Sequence, residues 1–202
     1  MTALSPPTRP ALRDRYDKRR GKVVAAAAKL FALRGAQETS ISDLTEATGL
    51  ASGGLYHYIG SKDALLFTIC DELMEPMLAR AEEIAASDAA PPEQFRRLMR
   101  AWVAHVVRHR DHMLVFIQER PALEADPRWR RLRKQRKQFE ALLDDILARG
   151  EADGTMRFED RQFTVLTLMG LVNHLPHWFN PRGRLTAEQV ADRYAALATD
   201  AR

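Results

Sequence analysis

The chain has 202 residues, of which 46% are hydrophobic and 29% charged, and its formal net charge is +4. This balance excludes an intrinsically disordered chain, because enough apolar surface is present to build the core of one or two ordinary domains. The single cysteine, Cys70, excludes an internal disulfide, and its apolar neighbours predict a small buried hydrophobic side chain instead of a thiol sensor.

The N-terminal segment is basic and contains no continuous apolar run. Such an arm suits contact with nucleic-acid phosphates or a minor groove, although a solvated tail is the better interpretation of any single arginine. We expect no signal peptide, no membrane-spanning segment and a cytoplasmic location. Seven cations and two acids precede the first apolar helix: Arg9, Arg13, Arg15, Lys18, Arg19, Arg20 and Lys22 against Asp14 and Asp17.

Residues 39–62 have the pattern of two short helices joined by a tight turn. Ser40 is followed three residues later by Asp43, the spacing at which a hydroxyl and an acid cap a helix N-terminus. A helix is therefore predicted to begin near Ile41, and Gly49 is expected to end it in the left-handed conformation. This helix is short and needs a neighbour to cover its apolar face.

The second short helix is predicted to begin at Ser52, with Leu55 and Ile59 facing inward. Gly53 and Gly54 each cost about 1 kcal/mol in a helix relative to alanine, and close approach to a phosphate or a base edge would explain that cost. For the glycines alone a simple loop is the favoured interpretation, but the whole string of polar residues favours DNA contact. The predicted contacts to DNA are Ser40, Ser42, Ser52, Gly53, Gly54, Tyr56, His57, Tyr58 and Lys62.

Residues 21–66 resemble the DNA-binding domain of the TetR family of bacterial transcriptional repressors. The family pattern is an alanine-rich first helix, a capped second helix, a glycine turn, and a recognition helix that ends in tyrosine and is followed by lysine. It stands here as AAAAKLFALRG, SISDLTEATGL, SGGLYHYI and SKDALL. The resemblance implies a double-stranded operator as partner. Ala51 departs from the pattern, since the family usually has a capping serine there, and we expect the cap to move to Ser52.

Beyond this segment the sequence predicts long helices separated by proline and glycine, without strand-like alternation of useful length. The first should cover about residues 61–86, with a kink at Pro76. Proline at a first helical position and glycine after a last one mark several of the others. Further helices are predicted over residues 92–108, 113–120, 127–149, 160–179 and 186–197.

The helix predicted over residues 160–179 is apolar on nearly every side, which a monomer of this size rarely tolerates on a solvent-facing surface. With the final helix it would form a four-helix interface with a second chain, although part of it is also expected to belong to the core. The sequence thus predicts an all-α homodimer. Residues 1–60 would form a basic arm and a three-helix helix-turn-helix domain, and residues 61–202 a helical bundle for ligand binding and dimerisation.

The C-terminal half resembles the TetR-family branch that regulates fatty-acid, sterol and other acyl-CoA degradation. The resemblance covers residues 170–192 and the FIQER sequence at residues 116–120, although His174 stands where the branch commonly has tryptophan. It implies an acyl-CoA thioester as effector, with its apolar tail in the bundle and its nucleotide near basic residues. The branch pattern is kept at Asn173, Trp178, Phe179, Pro181 and Gly183.

Aromatic and methionine side chains of the same half are able to line an apolar pocket, and arginines to meet the anion. Taken singly, each apolar residue is better explained as core, and the basic residues of 128–137 as a solvated helix face. The predicted ligand contacts are Trp102, Met113, Phe116, Ile117, Arg120, Phe139, Met169, Asn173 and Trp178.

Histidines offer an alternative chemistry. His105, His109 and His112 are spaced four and three apart, and His174 with His177 would approach from another helix. No cysteine or carboxylate cluster accompanies them, so no metal and no other cofactor is predicted.

The chain also lacks a phosphate loop, a dinucleotide fingerprint and a paired nucleophile and base, so no enzyme is predicted. The predicted function is a ligand-responsive repressor. The alternatives are a metal- or drug-responsive regulator of the same fold and, less favoured, an acyl-CoA-handling enzyme.

Overall fold

The computed structural model describes residues 9–199, and within this range the chain is helical, with short turns and loops and without strands. The predicted all-α class is therefore confirmed. A single 3-10 turn, Pro127–Trp129, precedes the seventh helix. The α-helices of the described range are α1 (Pro10–Arg34), α2 (Ile41–Thr48), α3 (Ser52–Ile59), α4 (Lys62–Ala85), α5 (Pro91–Arg108), α6 (Arg110–Ala125), α7 (Arg130–Ala152), α8 (Arg161–Trp178) and α9 (Ala187–Thr199).

Helices α1, α2 and α3 pack on one another around a small apolar core. Phe31, Leu44 and Leu55 are completely buried there, as the apolar spacing of each helix predicts. Gly35 and Gly49 end α1 and α2 with φ of +85° and +65°, a region in which glycine is far less strained than other residues. The three-helix unit predicted at the N-terminus is thus present.

Helix α4 joins this unit to the rest of the chain. The Ser61 hydroxyl accepts a hydrogen bond from the Ala64 amide and caps its N-terminus. The helix contacts α1 and α3 near its start and α5, α6 and α7 farther along, and Pro76 lies inside it. Cys70 is fully buried on its inner face, and burial raises the pKa of this thiol to about 12. The thiol therefore stays protonated, and the prediction of a buried hydrophobic side chain is confirmed.

Helices α4 to α9 form the C-terminal bundle, in which α5 packs against α4, α7, α8 and α9. The Arg100 guanidinium on α5 donates from Nε and Nη2 to the two carboxylate oxygens of Asp192, at 2.6 and 2.7 Å, and fixes α9. Hydrogen bonding to Arg100 holds the pKa of Asp192 below its usual value. No helix among residues 9–199 combines the length and the apolar character needed to cross a membrane.

Three sequence-based boundaries are corrected by the structure. The cations predicted to form an arm lie on α1 from Arg13 onward, because the helix already begins at Pro10, and residues 1–8 lie outside the described range. The short segment predicted over residues 113–120 is the longer α6, which continues through Pro121. The helix predicted to open at Pro127 opens as the 3-10 turn, because the Asp126 side chain accepts from the Arg128 amide.

Candidate DNA interface and ligand cavity

The N-terminus of α2 is built as the sequence predicts. The Ser40 hydroxyl accepts a hydrogen bond from the Asp43 amide at 3.1 Å, and Asp43 Oδ2 accepts one from the Ser40 amide at 2.8 Å. This reciprocal pair is the capping box. Bonds from Ser40, and more weakly the charge of Arg34, hold the pKa of Asp43 below its usual value. The Ser40 hydroxyl therefore serves the helix, whereas Ser42 is exposed on the first turn.

The N-terminus of α3 carries no side-chain cap. Ala51 occupies the cap position, and Ser52 is the first residue of the helix, so the prediction that the cap moves to Ser52 is wrong. An alanine offers no oxygen to the first amides of α3, and they receive no side-chain hydrogen bond. Unsatisfied amides at the positive end of a helix are donors for an anion such as a phosphate.

The glycines of α3 are not required by packing within the chain. A Cβ added to Gly53 would meet nothing within 4 Å, and one added to Gly54 would meet only Leu50 Cδ2, at 3.9 Å. Neither glycine has positive φ. Their cost in helix stability, about 1 kcal/mol each, is therefore not explained by contacts inside the described chain. That these glycines allow a close approach to DNA stays a prediction.

Three aromatic rings join α1 to α3. The Tyr16 ring lies 5.3 Å from the His57 ring and 5.1 Å from the Tyr58 ring, and the Tyr16 hydroxyl donates to the His57 carbonyl oxygen at 3.4 Å. His57 and Tyr58 are half-buried in this cluster, which limits their freedom to read bases. Sequence reasoning overlooked Tyr16. The available signal was its position seven residues before Val23, on the apolar stripe of α1.

Replacing Tyr16 by alanine is expected to weaken operator binding about tenfold, because two aromatic contacts of about 0.5–1.5 kcal/mol each hold α3 against α1. Fluorescence anisotropy with a labelled operator measures this change. Tyr16→Phe keeps both ring contacts and should bind nearly as the wild type does. An unchanged dissociation constant for Tyr16→Ala in a folded protein would show that the cluster does not position α3.

Lys62 is tied to the loop between α1 and α2. Its Nζ donates to the carbonyl oxygens of Gln37 and Thr39 at 3.2 and 3.3 Å. An ammonium group has three hydrogens, so these two bonds leave one for a phosphate. Lys62 is thus placed to fix the entry to α2 in addition to its predicted contact with DNA.

A cavity of about 220 Å³ lies in the C-terminal bundle, between α4, α5, α6, α7 and α8. Its apolar wall includes Trp102 and Phe139, whose ring centroids are 4.8 Å apart in an edge-to-face contact. Met74 and Met77 of α4 and Arg136 of α7 also line it, and sequence reasoning did not place them there. Seven of the nine predicted ligand contacts meet in this one cavity: Trp102, Met113, Phe116, Arg120, Phe139, Met169 and Asn173.

The polar groups of the cavity include two arginines and one acid. Arg136 donates from Nη1 to Glu140 Oε2 at 3.3 Å, and Arg120 lies on α6 at an exposed position. Arg136 belongs to the basic run over residues 128–137, which sequence reasoning treated as a solvated face. Other arginines of that run are held by acids, as in the pairing of Arg131 with Asp71 of α4 at 3.2 Å. The cavity is therefore apolar with guanidinium groups at its wall.

The two remaining predicted contacts lie elsewhere. Ile117 packs against the apolar core without lining the cavity, and Trp178 is 47% exposed at the end of α8. Phe163 and Leu166 are also exposed on α8, and Leu166 lies on the side toward α7, where it lines the cavity as well. Leu197 is exposed on the neighbouring α9. We call Phe163, Leu166, Trp178 and Leu197 the apolar face.

The histidines are adjacent but do not form a metal centre within residues 9–199. The ring centroids of His105 and His109 lie 4.5 Å apart, and those of His109 and His112 lie 5.5 Å apart. His105 Nε2 is 2.8 Å from the carbonyl oxygen of Leu73, so that nitrogen is engaged. Burial, and then the neighbouring histidines, lower the pKa of His109 to about 4. No group of three or more potential ligands in the described range is arranged to hold a metal ion.

Family models match both halves of the chain, and they define a helix-turn-helix transcription regulator. Residues 23–69 match the model "Bacterial regulatory proteins, tetR family". Residues 88–201 match the model "Tetracyclin repressor-like, C-terminal domain". The chain belongs to the TetR family of bacterial transcription regulators.

Individual relatives agree with this family in sequence and in structure. The transcriptional repressor KstR2 of Mycobacterium tuberculosis is 28% identical over 182 residues, which cover 90% of this chain and 91% of the relative. The structure of that ketosteroid transcriptional regulator matches with a TM-score of 0.82 and 28% identity, covering 89% of this chain and 92% of the other. AibR in complex with isovaleryl coenzyme A and operator DNA matches with a TM-score of 0.76 and 26% identity, covering 90% and 98%.

Proposed function

We propose that this TetR-family regulator is a homodimeric repressor that leaves a pseudo-palindromic operator when an acyl-CoA thioester occupies the cavity. The observation that carries the proposal is the cavity itself, an apolar space with guanidinium groups at its wall. An acyl group suits the apolar part, and phosphate or carbonyl oxygens suit the arginines. A similar protein, AibR, has been solved with an acyl-CoA and operator DNA bound, which supports this choice of ligand.

The size of the cavity limits the effector. A volume of about 220 Å³ is below the roughly 300–1,000 Å³ that encloses most of a drug-sized ligand. A short or branched acyl group fits this space, whereas the nucleotide of coenzyme A has to lie outside it. Larger acyl groups need the methionine side chains of the wall to move, which their flexible chains permit.

On the operator, α3 of each protomer would lie in a major groove. The exposed residues Ser52 and Gly53 and the uncapped start of α3 would meet the DNA, and Tyr56 and Lys62 would contact phosphates. The exposed cations of the first half of α1 would add phosphate contacts beside the half-site. Arg20 is excluded from this set, since it donates to Thr68 of α4.

The dimer is proposed from the apolar face. Phe163 is 68% and Leu166 62% exposed on α8, and Leu197 is 65% exposed on α9. Large apolar side chains grouped on a surface mark an interaction site in soluble proteins. A second copy of the same two helices would cover them in a four-helix arrangement and place the two α3 helices about 34–36 Å apart or more.

Release would follow from a difference in affinity between two conformations. Helix α4 begins at Lys62 beside the DNA-binding domain and lines the cavity with Met74 and Met77. A ligand that binds better when α4 has swung shifts the equilibrium toward that conformation, by no more than the difference in binding free energy. The swing changes the separation of the two α3 helices in the dimer.

A thermal-shift screen followed by operator competition tests the proposal. Acetyl-CoA, isovaleryl-CoA, octanoyl-CoA and a steroid-derived acyl-CoA are compared with coenzyme A and the free acids. A ligand at about 100 times its dissociation constant stabilises by about 2.7 kcal/mol and should raise the melting temperature by several degrees. The same compound should lower operator affinity.

Two results would favour the alternatives. If divalent metals release the operator and a chelator restores binding, the protein is a metal-responsive regulator of the same fold. If the purified protein converts an acyl-CoA to product, it is an enzyme and not a sensor. If neither acyl-CoAs nor metals alter operator binding, the proposed effector class is wrong.

A further inference from the structure

Helix α6 lies between the ligand cavity and the DNA-binding domain, and it contacts each with a different face. Met113, Phe116 and Arg120 are spaced three and four residues apart, so they share one face, and all three line the cavity. Gln118 lies on the opposite side of the helix and bonds to the end of α1, whereas Glu119 lies on the flank, three residues after Phe116, and bonds to the segment that follows α1. A displacement of the cavity wall on α6 therefore moves these two side chains as well.

The bonds from α6 complete the C-terminus of α1. Gln118 Nε2 donates to the carbonyl oxygen of Ala32 at 3.0 Å, and this carbonyl is one of the last four of α1 that lack a partner within the helix. Glu119 Oε1 accepts from the Ala36 amide at 3.1 Å across 83 residues of sequence. Glu119 is only 9% exposed, so its carboxylate is committed to this region.

Ala36 opens the short segment that sets the position of α2. The Thr39 hydroxyl in this segment donates to the carbonyl oxygen of Gly35 at 2.8 Å, and the next residue, Ser40, caps α2. Lys62, at the start of α4, donates to two carbonyl oxygens of the same segment. The Ala36 amide thus belongs to a segment of five residues, 36–40, that connects α1 to α2 and is hydrogen-bonded to α4.

From these contacts we infer that Glu119 is a positioning residue that transmits occupancy of the cavity to the DNA-binding domain. A ligand that displaces α6 shifts the carboxylate, the Ala36 amide follows it, and α2 moves relative to α3. This route acts in addition to the swing of α4. The inference rests on the proposed ligand-released repressor, and it assigns the regulation of that site to a named contact.

The first test measures coupling with an acyl-CoA that releases the wild type. Glu119→Ala should bind this acyl-CoA with a dissociation constant within about threefold of the wild type. We call the release factor the ratio of the operator dissociation constants with and without the acyl-CoA. This factor, about 5–150-fold in typical allosteric proteins, should fall below about threefold in Glu119→Ala. Glu119→Gln keeps an acceptor oxygen and should retain the wild-type factor. The matched control on α6 is Asp111→Ala, which removes a half-buried carboxylate paired locally with Arg110 and should also leave release unchanged.

A second variant removes the other partner of the same bond. Ala36→Pro lacks the amide hydrogen and leaves Glu119 in place, and it should uncouple release as Glu119→Ala does. Agreement of the two variants separates the bond from general damage to α6. If both variants bind the ligand and release the operator as the wild type does, the inference is overturned.

A double-mutant cycle on operator affinity, measured without ligand, tests the inference even if no acyl-CoA acts on the wild type. Met113→Trp overfills the cavity from α6 and serves as a permanent occupant. It should weaken operator binding by about tenfold when Glu119 is present and by less than about twofold in the Glu119→Ala background, an interaction that a double-mutant cycle measures. Equal effects in both backgrounds, or no effect in either, would overturn the role of Glu119. Failure of every acyl-CoA on the wild type would instead refute the proposed effector.

Discussion

Replacing Phe163 by glutamate is expected to produce a monomer that has lost nearly all affinity for its operator. Phe163 is 68% exposed at the centre of the proposed contact between two copies. The symmetry of a dimer would bury two unpaired carboxylates there, which costs several kcal/mol. A single DNA-binding domain then contacts only one half-site, and the loss of bivalent binding is worth about 10²- to 10⁴-fold. Sedimentation velocity and fluorescence anisotropy measure the two effects.

Leu33→Glu is the matched control for this substitution. Leu33 is 72% exposed at the end of α1, outside the apolar face, and a charge there should leave the dimer and the operator affinity unchanged. Phe163→Leu keeps an apolar side chain and should remain dimeric. If Phe163→Glu still sediments as a dimer, the apolar face of α8 and α9 is not the interface.

Replacing Trp102 by alanine is expected to lower the free energy of unfolding by about 3–5 kcal/mol, because a buried aromatic residue is lost and a larger cavity remains. Trp102 is 2% exposed and touches Phe139 edge to face. The loss is a large fraction of the 5–15 kcal/mol that is typical of folded domains. Urea unfolding at a fixed protein concentration measures it, since the stability of a dimer depends on concentration.

Trp102→Phe distinguishes packing from cavity volume. It keeps an aromatic ring beside Phe139 and should cost clearly less than the change to alanine. Both variants enlarge the cavity, so both should shift ligand preference toward larger acyl groups in the thermal-shift screen. A loss below about 1 kcal/mol for Trp102→Ala would mean that surrounding side chains collapse into the space.

Signals that act within a few residues were reliable guides to this fold. The Ser40 and Asp43 pair predicted the start of α2, and Gly49 predicted its end, because both depend on backbone groups within one turn. Leu55 and Ile59 were correctly expected inside for the same reason. The cavity was predictable in part, because Trp102 and its fellow aromatic and methionine residues recur at helical spacing on helices that must face one core.

The sequence pattern did not predict contacts between residues that are far apart in the chain. Tyr16 and His57 are 41 residues apart and Glu119 and Ala36 are 83 apart, and nothing local to any of them indicates its partner. A glutamate in an amphipathic helix usually faces solvent, so the burial of Glu119 had no signature in the sequence. Trp178 was assigned to the cavity because an apolar residue gives the same sequence signal in a core and on an exposed helix face.

Helix α1 joins the region of the exposed cations to the contacts with α6, and this connection bears on the effector concentration at which the proposed repressor would respond. Its 25 residues form one helix about 37 Å long, which carries its exposed cations at one end and the bonds from α6 at the other. Any coupling between operator and effector has to act equally in both directions, whichever element carries it. On the proposed mechanism, a protomer bound to its operator therefore binds effector less tightly than a free one, by the same factor by which effector weakens operator binding. Effector would then bind to free protein at lower concentrations, and a higher effector concentration would be needed to release the protein from each operator.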